Sequence, residues 1–432
     1  MPWRCRMMVE PNLWRASCRE GFTAPPLSSD HSVDLAIIGG GFTGCAAALE
    51  AAREGASVCL LEANTIGHGG SGRNVGLVNA GLWLPPETVM AQMGAEAGTR
   101  LWSTLAEAPT RVFDLIAREG IECEATRNGT LHLAHSPQGL RDLQERHRQG
   151  RALGAPLELL DAAETARRTG SDAFHGALFD PRAGTIQPLG YVRGLARAAA
   201  TAGARICEQS PVQSVRHDGG QWIVVSNGHP VRAARLLIAT NAYHLGLGPM
   251  FEPAFVPVHY CQYATDPLPD TVRQAILPGG EGCWDTALVM SSVRMDQAGR
   301  LIIGGIGNGD GAGARVHAAW ARRKIAALFP ALRGIALTHG WSGRIAMTGD
   351  HIPKIIAFGP DAYACFGYSG RGIGPGTVFG TQAARALLNG STSPLPVDPV
   401  SRHGETLPQL RAAWYEAGAV LTHATAAHGQ RG

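Results

Sequence analysis

Apolar positions in this chain fall into short continuous runs closed by glycine, separated by longer stretches of helical period. Val33-Asp34-Leu35-Ala36-Ile37-Ile38 is such a run, bounded by Gly39, and predicts a buried parallel strand. Gly44 to Gly55 contains Ala46, Ala47, Ala48, Leu49, Ala51 and Ala52 and predicts a helix. Val58-Cys59-Leu60-Leu61 repeats the strand pattern and is closed by Glu62. Residues 33–62 thus predict one strand–helix–strand unit. Before it, residues 1–32 predict an irregular arm, ending in a turn-rich stretch from Thr23 to Asp30.

Beyond this unit the pattern is mixed. Residues 64–85 read as glycine-rich loop, and residues 87–119 as helix, with Leu101, Leu105, Val112, Leu115 and Ile116 in period. Thr130 to Ala134 reads as strand, residues 137–170 as polar helix, and Tyr191 to Ala202 as an alanine-rich helix. Trp222 to Val225 and Val231 to Ala234 flank Asn227-Gly228 as a hairpin, and Arg235 to Ala239 follows as a buried strand. Several strand-like runs occupy residues 256–305, and residues 316–329 read as helix. Ala362 to Phe366 predicts a last buried strand and Thr377 to Leu388 a last helix. This order predicts an α/β fold. A Rossmann-like nucleotide domain (residues 33–95, 185–250 and 336–400) is interleaved with an α+β substrate domain on a mixed or antiparallel sheet (96–184 and 251–335). Residues 401–432 are left as a C-terminal tail.

Composition narrows the function. Glycine supplies 56 of 432 residues, well above the usual share of about 7%. The net charge of +3 gives no field on the scale of nucleic-acid binding, so no nucleic-acid partner is expected. Lys324 and Lys354 are the only two lysines, so Schiff-base or lysine-base chemistry has two candidate residues. The nine cysteines include no CxxC pair, which fits a reducing compartment. The sequence shows no signal-peptide pattern and no run of 18 apolar residues, so a cytoplasmic protein without a membrane span is expected. No clustered His/Cys spacing predicts a metal, and no P-loop is present.

Four segments carry chemistry. Gly39-Gly40-Gly41-Phe42-Thr43-Gly44 fits G-x-G-x-x-G between a strand and a helix, with Glu62 ending the next strand. That combination suits a dinucleotide. The glycines permit a tight turn and close backbone approach, the helix N-terminus meets the pyrophosphate, and the acid accepts from ribose hydroxyls. The second segment is Gly67 to Gly76, with Arg73 and Asn74; the third is Ala239-Thr240-Asn241-Ala242 at a strand end. The fourth, Gly367-Tyr368-Ser369-Gly370-Arg371-Gly372-Ile373-Gly374, opens the last helix.

Taken together these segments resemble the D-amino-acid oxidase superfamily of FAD-dependent enzymes, and within it the γ-glutamylputrescine oxidoreductase-like branch. The resemblance covers about residues 12–425 and also rests on Asp180 to Gly184, Ala239 to Tyr243, Gly299 to Gly305 and Trp341-Ser342-Gly343. It implies a GR2-type FAD-binding domain. It implies that Gly39, Gly41, Phe42, Thr43, Gly44, Glu62 and Ala63 hold the ADP half, with Val212 and Thr240 beside it. Ser71, Gly72, Arg73, Asn74 and Gly76 would follow the pyrophosphate and flavin, and Gly343 and Gly370 to Gly374 the isoalloxazine ring. The residue after Gly304-Gly305 is Ile306, where some relatives carry a flavin-linked cysteine, so non-covalent FAD is expected. The implied reaction is oxidation of a C–N bond in an amine or amino acid. Hydride moves to flavin N5, the imine hydrolyses, and electrons reach oxygen as hydrogen peroxide. The absence of a lysine before Lys324 leaves a non-oxygen acceptor open, and a non-catalytic flavin-binding subunit is a further alternative. On the substrate side, Arg294 or Arg371 is the candidate carboxylate clamp, with Tyr368 and His259 as further site candidates.

Overall fold

The computed structural model describes residues 12–247 and 251–425. The first part of the expected arm, the last residues of the expected tail and the end of the 185–250 segment lie outside the described residues.

The unit expected at the start of the chain is formed by strand His31–Ile38, helix Phe42–Arg53 and strand Val58–Leu61. The two strands pair in parallel, Ile37 opposite Leu60. They belong to a sheet with the order Lys354–Gly359, Ala362–Phe366, His229–Ile238, His31–Ile38, Val58–Leu61 and Arg205–Cys207. The hairpin strands Gln221–Ser226 and Val212–Asp218 extend from His229–Ile238. The strands are apolar on both faces because both faces are covered. Leu35 and Ile37 enter one core with the helices, while Ala36 and Ile38 enter another with Trp222 and Phe366. Each such Leu or Ile contributes about 1.5–3 kcal/mol of burial. The small residues Cys45 to Ala48 let helix Phe42–Arg53 lie close to helices Pro188–Thr201 and Ile373–Asn389. Chain order reverses across His31–Ile38, which creates the crevice where α/β sheets bind ligands, at the strands' carboxyl ends.

The second sheet has eight strands: Leu337–Met347, Val256–Pro267, Arg300–Ile306, Ser291–Met295, Gly282–Asp285, Thr130–Leu133, Ala177–Asp180 and Glu158–Leu160. All its neighbours are antiparallel except Gly282–Asp285 with Thr130–Leu133, so the sheet is mixed, as expected.

Four boundaries differ from the expectation. Strand Leu337–Met347 belongs to the second sheet, although residues 336–400 were assigned to the nucleotide domain. Helices Ala95–Ala106 and Ala108–Glu119 bury Leu101, Leu105, Val112 and Ile116 against the nucleotide-domain core, not the substrate domain. Periodicity shows which face of a helix is apolar, not which partner it meets. The arm holds a short helix, Leu13–Ser17, whose Leu13 and Trp14 are fully buried. Trp14 donates its indole N–H to Asn74 O at 2.8 Å and meets the edge of Trp341 at 5.7 Å. Finally, Pro408–Thr425 is a docked helix and not a tail.

Candidate functional site

The glycine turn after the first strand is shaped by contacts that exclude side chains. Gly39 has φ +109°, and an added Cβ would stand 2.9 Å from Ala239 O. At Gly44 the added carbon would fall on the Gly39 carbonyl oxygen, so helix and strand touch only because residue 44 is glycine. The Glu62 carboxylate accepts the Gly40 N–H at 2.7 Å and the Asn64 N–H at 2.9 Å. Burial raises its pKa, while the Asn64 and Gly40 bonds oppose that rise. Ser71 Oγ accepts the Phe42 N–H at 3.0 Å, joining the second glycine loop to the helix start.

A cavity of about 770 Å³ opens from this turn. It runs from Glu62, Ala63, Val212 and Thr240, past Gly41, Phe42, Thr43, Ser71 and Asn74, to Gly370, Arg371, Gly372, Ile373 and Gly374. Gly39 and Tyr368 also line it. The N–H groups of Gly372, Ile373 and Gly374 open helix Ile373–Asn389 and have no backbone acceptor among the described residues. They present a partial positive charge to the cavity.

Seven expected site residues do not line it. Gly44 and Gly72 serve close backbone packing, Gly72 against the Gly67 carbonyl. Arg73 is turned away, its Nε donating to His68 O at 2.8 Å and its Nη1 to Ser342 O at 3.0 Å. Gly76, at φ +83°, faces the Ile186 carbonyl. The space a Gly343 side chain would need is filled by the Tyr260 phenol. His259 alternates with Val258 and Tyr260, which line the cavity, so its side chain takes the opposite face. Arg294 is the main correction. It is 1% exposed, and its Nη1 donates to Ile186 O at 2.6 Å, Val75 O at 3.2 Å and Gly76 O at 3.3 Å. It holds the glycine loop from behind instead of meeting a substrate.

Tyr368 lines the cavity but is not free: its hydroxyl shares a 2.8 Å hydrogen bond with Thr43 Oγ1, and burial pushes its pKa well up. It ties two helix starts together. Arg371 remains the candidate clamp. Its Nη1 donates to Ala80 O at 2.5 Å, its guanidinium lies 5.6 Å over the Trp284 ring, and no described carboxylate pairs with it. Burial first, then Arg146, lowers its pKa to about 9.

The sequence reading missed a whole wall. Trp83, Trp284, Leu288 and Met290 line the far end, and Trp414, Tyr415 and Gly418 of the C-terminal helix line a further part. Trp83 lies in an irregular stretch and Trp284 on the short strand Gly282–Asp285, so neither carries a periodic signal of its own. The described residues contain no His/Cys/Asp/Glu group able to hold a metal, and no described helix is long and apolar enough to cross a membrane.

The site fits FAD: an acid at the second strand end, a side-chain-free turn at a helix start, and a second helix start at the other end of one cavity. Comparison with known proteins agrees. The chain is 31% identical to the "probable oxidoreductase OrdL" of Rhizobium meliloti, over 91% of each chain. It is 30% identical to the γ-glutamylputrescine oxidoreductase of Escherichia coli, over 80% of this chain and 82% of that protein. In fold it resembles the glycine oxidase structure from Geobacillus kaustophilus, with TM-score 0.71 and 22% identity, over 87% of this chain and all of that one. The L-proline dehydrogenase of P. horikoshii gives TM-score 0.68 and 20% identity, over 93% and 99%. The model of the DAO family, described as FAD dependent oxidoreductase, matches residues 34–386, and the chain belongs to that family.

Proposed function

We propose that this protein oxidises a C–N bond in an amine or amino acid and passes the electrons to oxygen. The supporting observation is a cavity joining a nucleotide cradle to a half-buried arginine that has no carboxylate partner among the described residues. The relatives named for γ-glutamylputrescine and glycine act on that kind of donor. FAD, when bound, would supply a two-electron acceptor for the hydride leaving the carbon next to nitrogen. In balance, the donor loses two electrons and two protons to become an imine, and oxygen gains them as hydrogen peroxide. Water then adds to the imine carbon and the nitrogen leaves as ammonia or an amine.

The protein's part is binding and orientation. Glu62 would accept from ribose hydroxyls, and the N–H groups of Gly41 and Thr43 would donate to phosphate, that of Phe42 being held by Ser71 Oγ. The N–H groups at Gly372 to Gly374 would stabilise negative charge on the bound flavin. Arg371 holds a substrate carboxylate, while Trp83, Trp284 and Met290 exclude water. Binding is non-covalent: Ile306 follows the Gly304-Gly305 pair, and no described cysteine lines the cavity. A second reading, with an acceptor other than oxygen, is favoured by the lysines. Lys324 pairs with Asp285 and Lys354 with Asp350, and neither lines the cavity.

Anaerobic addition of amines to the FAD-loaded protein should bleach the flavin band near roughly 450 nm. Reoxidation by air with stoichiometric peroxide supports oxygen as acceptor. Bleaching without reoxidation supports the second reading. A protein that cannot bind FAD would sink both.

A further inference from the structure

We propose that Trp14 is a positioning residue for FAD, aiming the Val75 N–H into the cavity as a hydrogen-bond donor to the bound flavin. This rests on FAD occupying that cavity, and it gives the short helix Leu13–Ser17 a task in the cofactor site.

Four successive carbonyls of the second glycine loop are each held by a side chain. Asn12 Nδ2 donates to Gly72 O at 2.6 Å and Trp341 Nε1 to Arg73 O at 2.7 Å. Trp14 Nε1 donates to Asn74 O at 2.8 Å and Arg294 Nη1 to Val75 O at 3.2 Å. None of the four donors lines the cavity, whereas Asn74 and Val75 do. In a trans peptide the carbonyl and the next N–H share a plane and point opposite ways, and no described peptide bond is cis. Holding each carbonyl from behind therefore fixes the N–H that follows it.

Three of those four N–H groups are already used. Arg73 and Asn74 donate to Gly70 O at 3.2 and 3.1 Å, and Gly76 donates to Asn74 Oδ1 at 2.9 Å. The Val75 N–H alone has no acceptor among the described residues. It belongs to the peptide whose carbonyl Trp14 holds, so it points away from Trp14 and towards the cavity side. A backbone donor turned from water needs an acceptor, and the bound flavin offers ring nitrogens and carbonyl oxygens. Reduction adds negative charge to that ring, so the bond is stronger to reduced than to oxidised flavin.

The indole is itself held still. Trp14 is fully buried, its N–H donates to Asn12 Oδ1 at 3.0 Å, and its carbonyl accepts Gln187 Nε2 at 2.7 Å. Its ring meets the edge of Trp341 at 5.7 Å and the Arg294 guanidinium at 5.4 Å. The direction of the Val75 N–H is therefore set before FAD arrives, which lowers the ordering cost of binding.

The test compares two FAD-loaded variants that each lose one indole donor. Trp14→Phe keeps a ring but frees Asn74 O. Its flavin midpoint potential should fall by about 30 mV, equivalent to a tenfold weaker hold on reduced relative to oxidised flavin. Trp341→Phe frees Arg73 O, but the N–H that follows is tied to Gly70 O, so stability should fall while the potential stays. A Trp14→Phe protein that loses stability yet keeps the parent potential would overturn the proposal, because Trp14 would then be a structural brace only. Equal shifts in both variants would overturn it too. In the unchanged protein, labelled with 15N-valine, the Val75 amide should exchange about tenfold or more slowly with FAD than without. Equal exchange would overturn the proposal, and this measurement decides if Trp14→Phe does not fold. An unchanged protein that binds no FAD would count instead against the cofactor assignment itself.

Discussion

Arg294 gives the sharpest test of whether burial has been read correctly. Its guanidinium joins strand Ser291–Met295 to the second glycine loop and to the segment before helix Pro188–Thr201. It also lies 5.4 Å over the Trp14 ring. Burial lowers its pKa to about 10, which still leaves it protonated near neutral pH. Arg294→Met removes the charge and its bonds to the carbonyls of Val75, Gly76 and Ile186, of which Gly76 keeps the Ile186 N–H. The short bond to Ile186 has the strength of a full charge-assisted bond, about 1.5–3 kcal/mol, and the two longer ones add less. Methionine regains part of this because no buried cation then needs solvating. The expected loss is about 3 kcal/mol, a large fraction of the roughly 5–15 kcal/mol that holds a domain folded. Urea unfolding followed by tryptophan and flavin fluorescence should show an earlier transition. Amide exchange should quicken at Val75 to Asn79, and FAD affinity should fall with it. The preference of the residual activity for an amine with a carboxylate over the same amine with an amide should not change. A variant that is fully stable, binds FAD normally and selectively loses carboxylate substrates would refute this reasoning, because Arg294 would then have to reach the substrate.

Three further outcomes follow from the same geometry. Gly44→Ala puts a methyl on the Gly39 carbonyl oxygen and should abolish FAD retention through purification; retention equal to the parent would refute the close-packing role. Glu62 has a raised pKa, and ribose hydroxyls need its ionised form, so FAD affinity should weaken as pH falls through that pKa. Glu62→Gln should bind FAD less tightly and without this pH dependence, as fluorescence titration would show. His423 is pushed down to about 3, chiefly by burial, so its folded state stays neutral where the unfolded chain takes a proton. Its contribution is complete above about pH 6.5 and is lost on descent towards 3, at up to about 1.4 kcal/mol per unit. Amide protection in helix Pro408–Thr425 should fall over that window, and a flat profile would contradict the sign.

The nucleotide half was legible because its signals are local and redundant. A strand pattern, a glycine that must be glycine, a helix pattern and an acid at a strand end all agree between Val33 and Glu62. The same legibility failed one step away. Arg73 and Gly76 sit in the expected loop, but which side of that loop faces the ligand depends on where Ser342 and Ile186 arrive, far off in sequence. Arg294, on an expected strand of the second domain, and Arg371, inside the glycine-rich loop before the last helix, are equally open as the clamp from the chain alone. They separate only when their acceptors are known. Arg294 finds several backbone carbonyls and no opening, whereas Arg371 finds one carbonyl and a cavity.

The C-terminal helix shows a deeper reason for such misses. Amphipathic reasoning docks a helix by its apolar stripe, and in Pro408–Thr425 that stripe is Leu410, Trp414 and Leu421, each about two-thirds exposed. The docking face is instead small and polar. Glu416 accepts the Asn308 N–H at 2.8 Å, and Ala419 and His423 are fully buried. His423 stacks on Trp320 with centroids 3.8 Å apart and shares a 2.7 Å hydrogen bond with His317. His317 also meets Glu416 at 3.2 Å. These bonds run in one direction if His423 Nδ1–H donates to His317 Nδ1 and His317 Nε2–H donates to Glu416. Adding a proton to His423 would set a cation beside Arg323 and Lys324. A helix held this way is specified by hydrogen-bond geometry rather than hydrophobic period, so no pattern in its own sequence reveals where it docks. It also follows that this part of the cavity wall answers to acid through His423, whereas in the glycine cradle only the Glu62 bond to Gly40 does so and the close packing of Gly39 and Gly44 carries no titrating group.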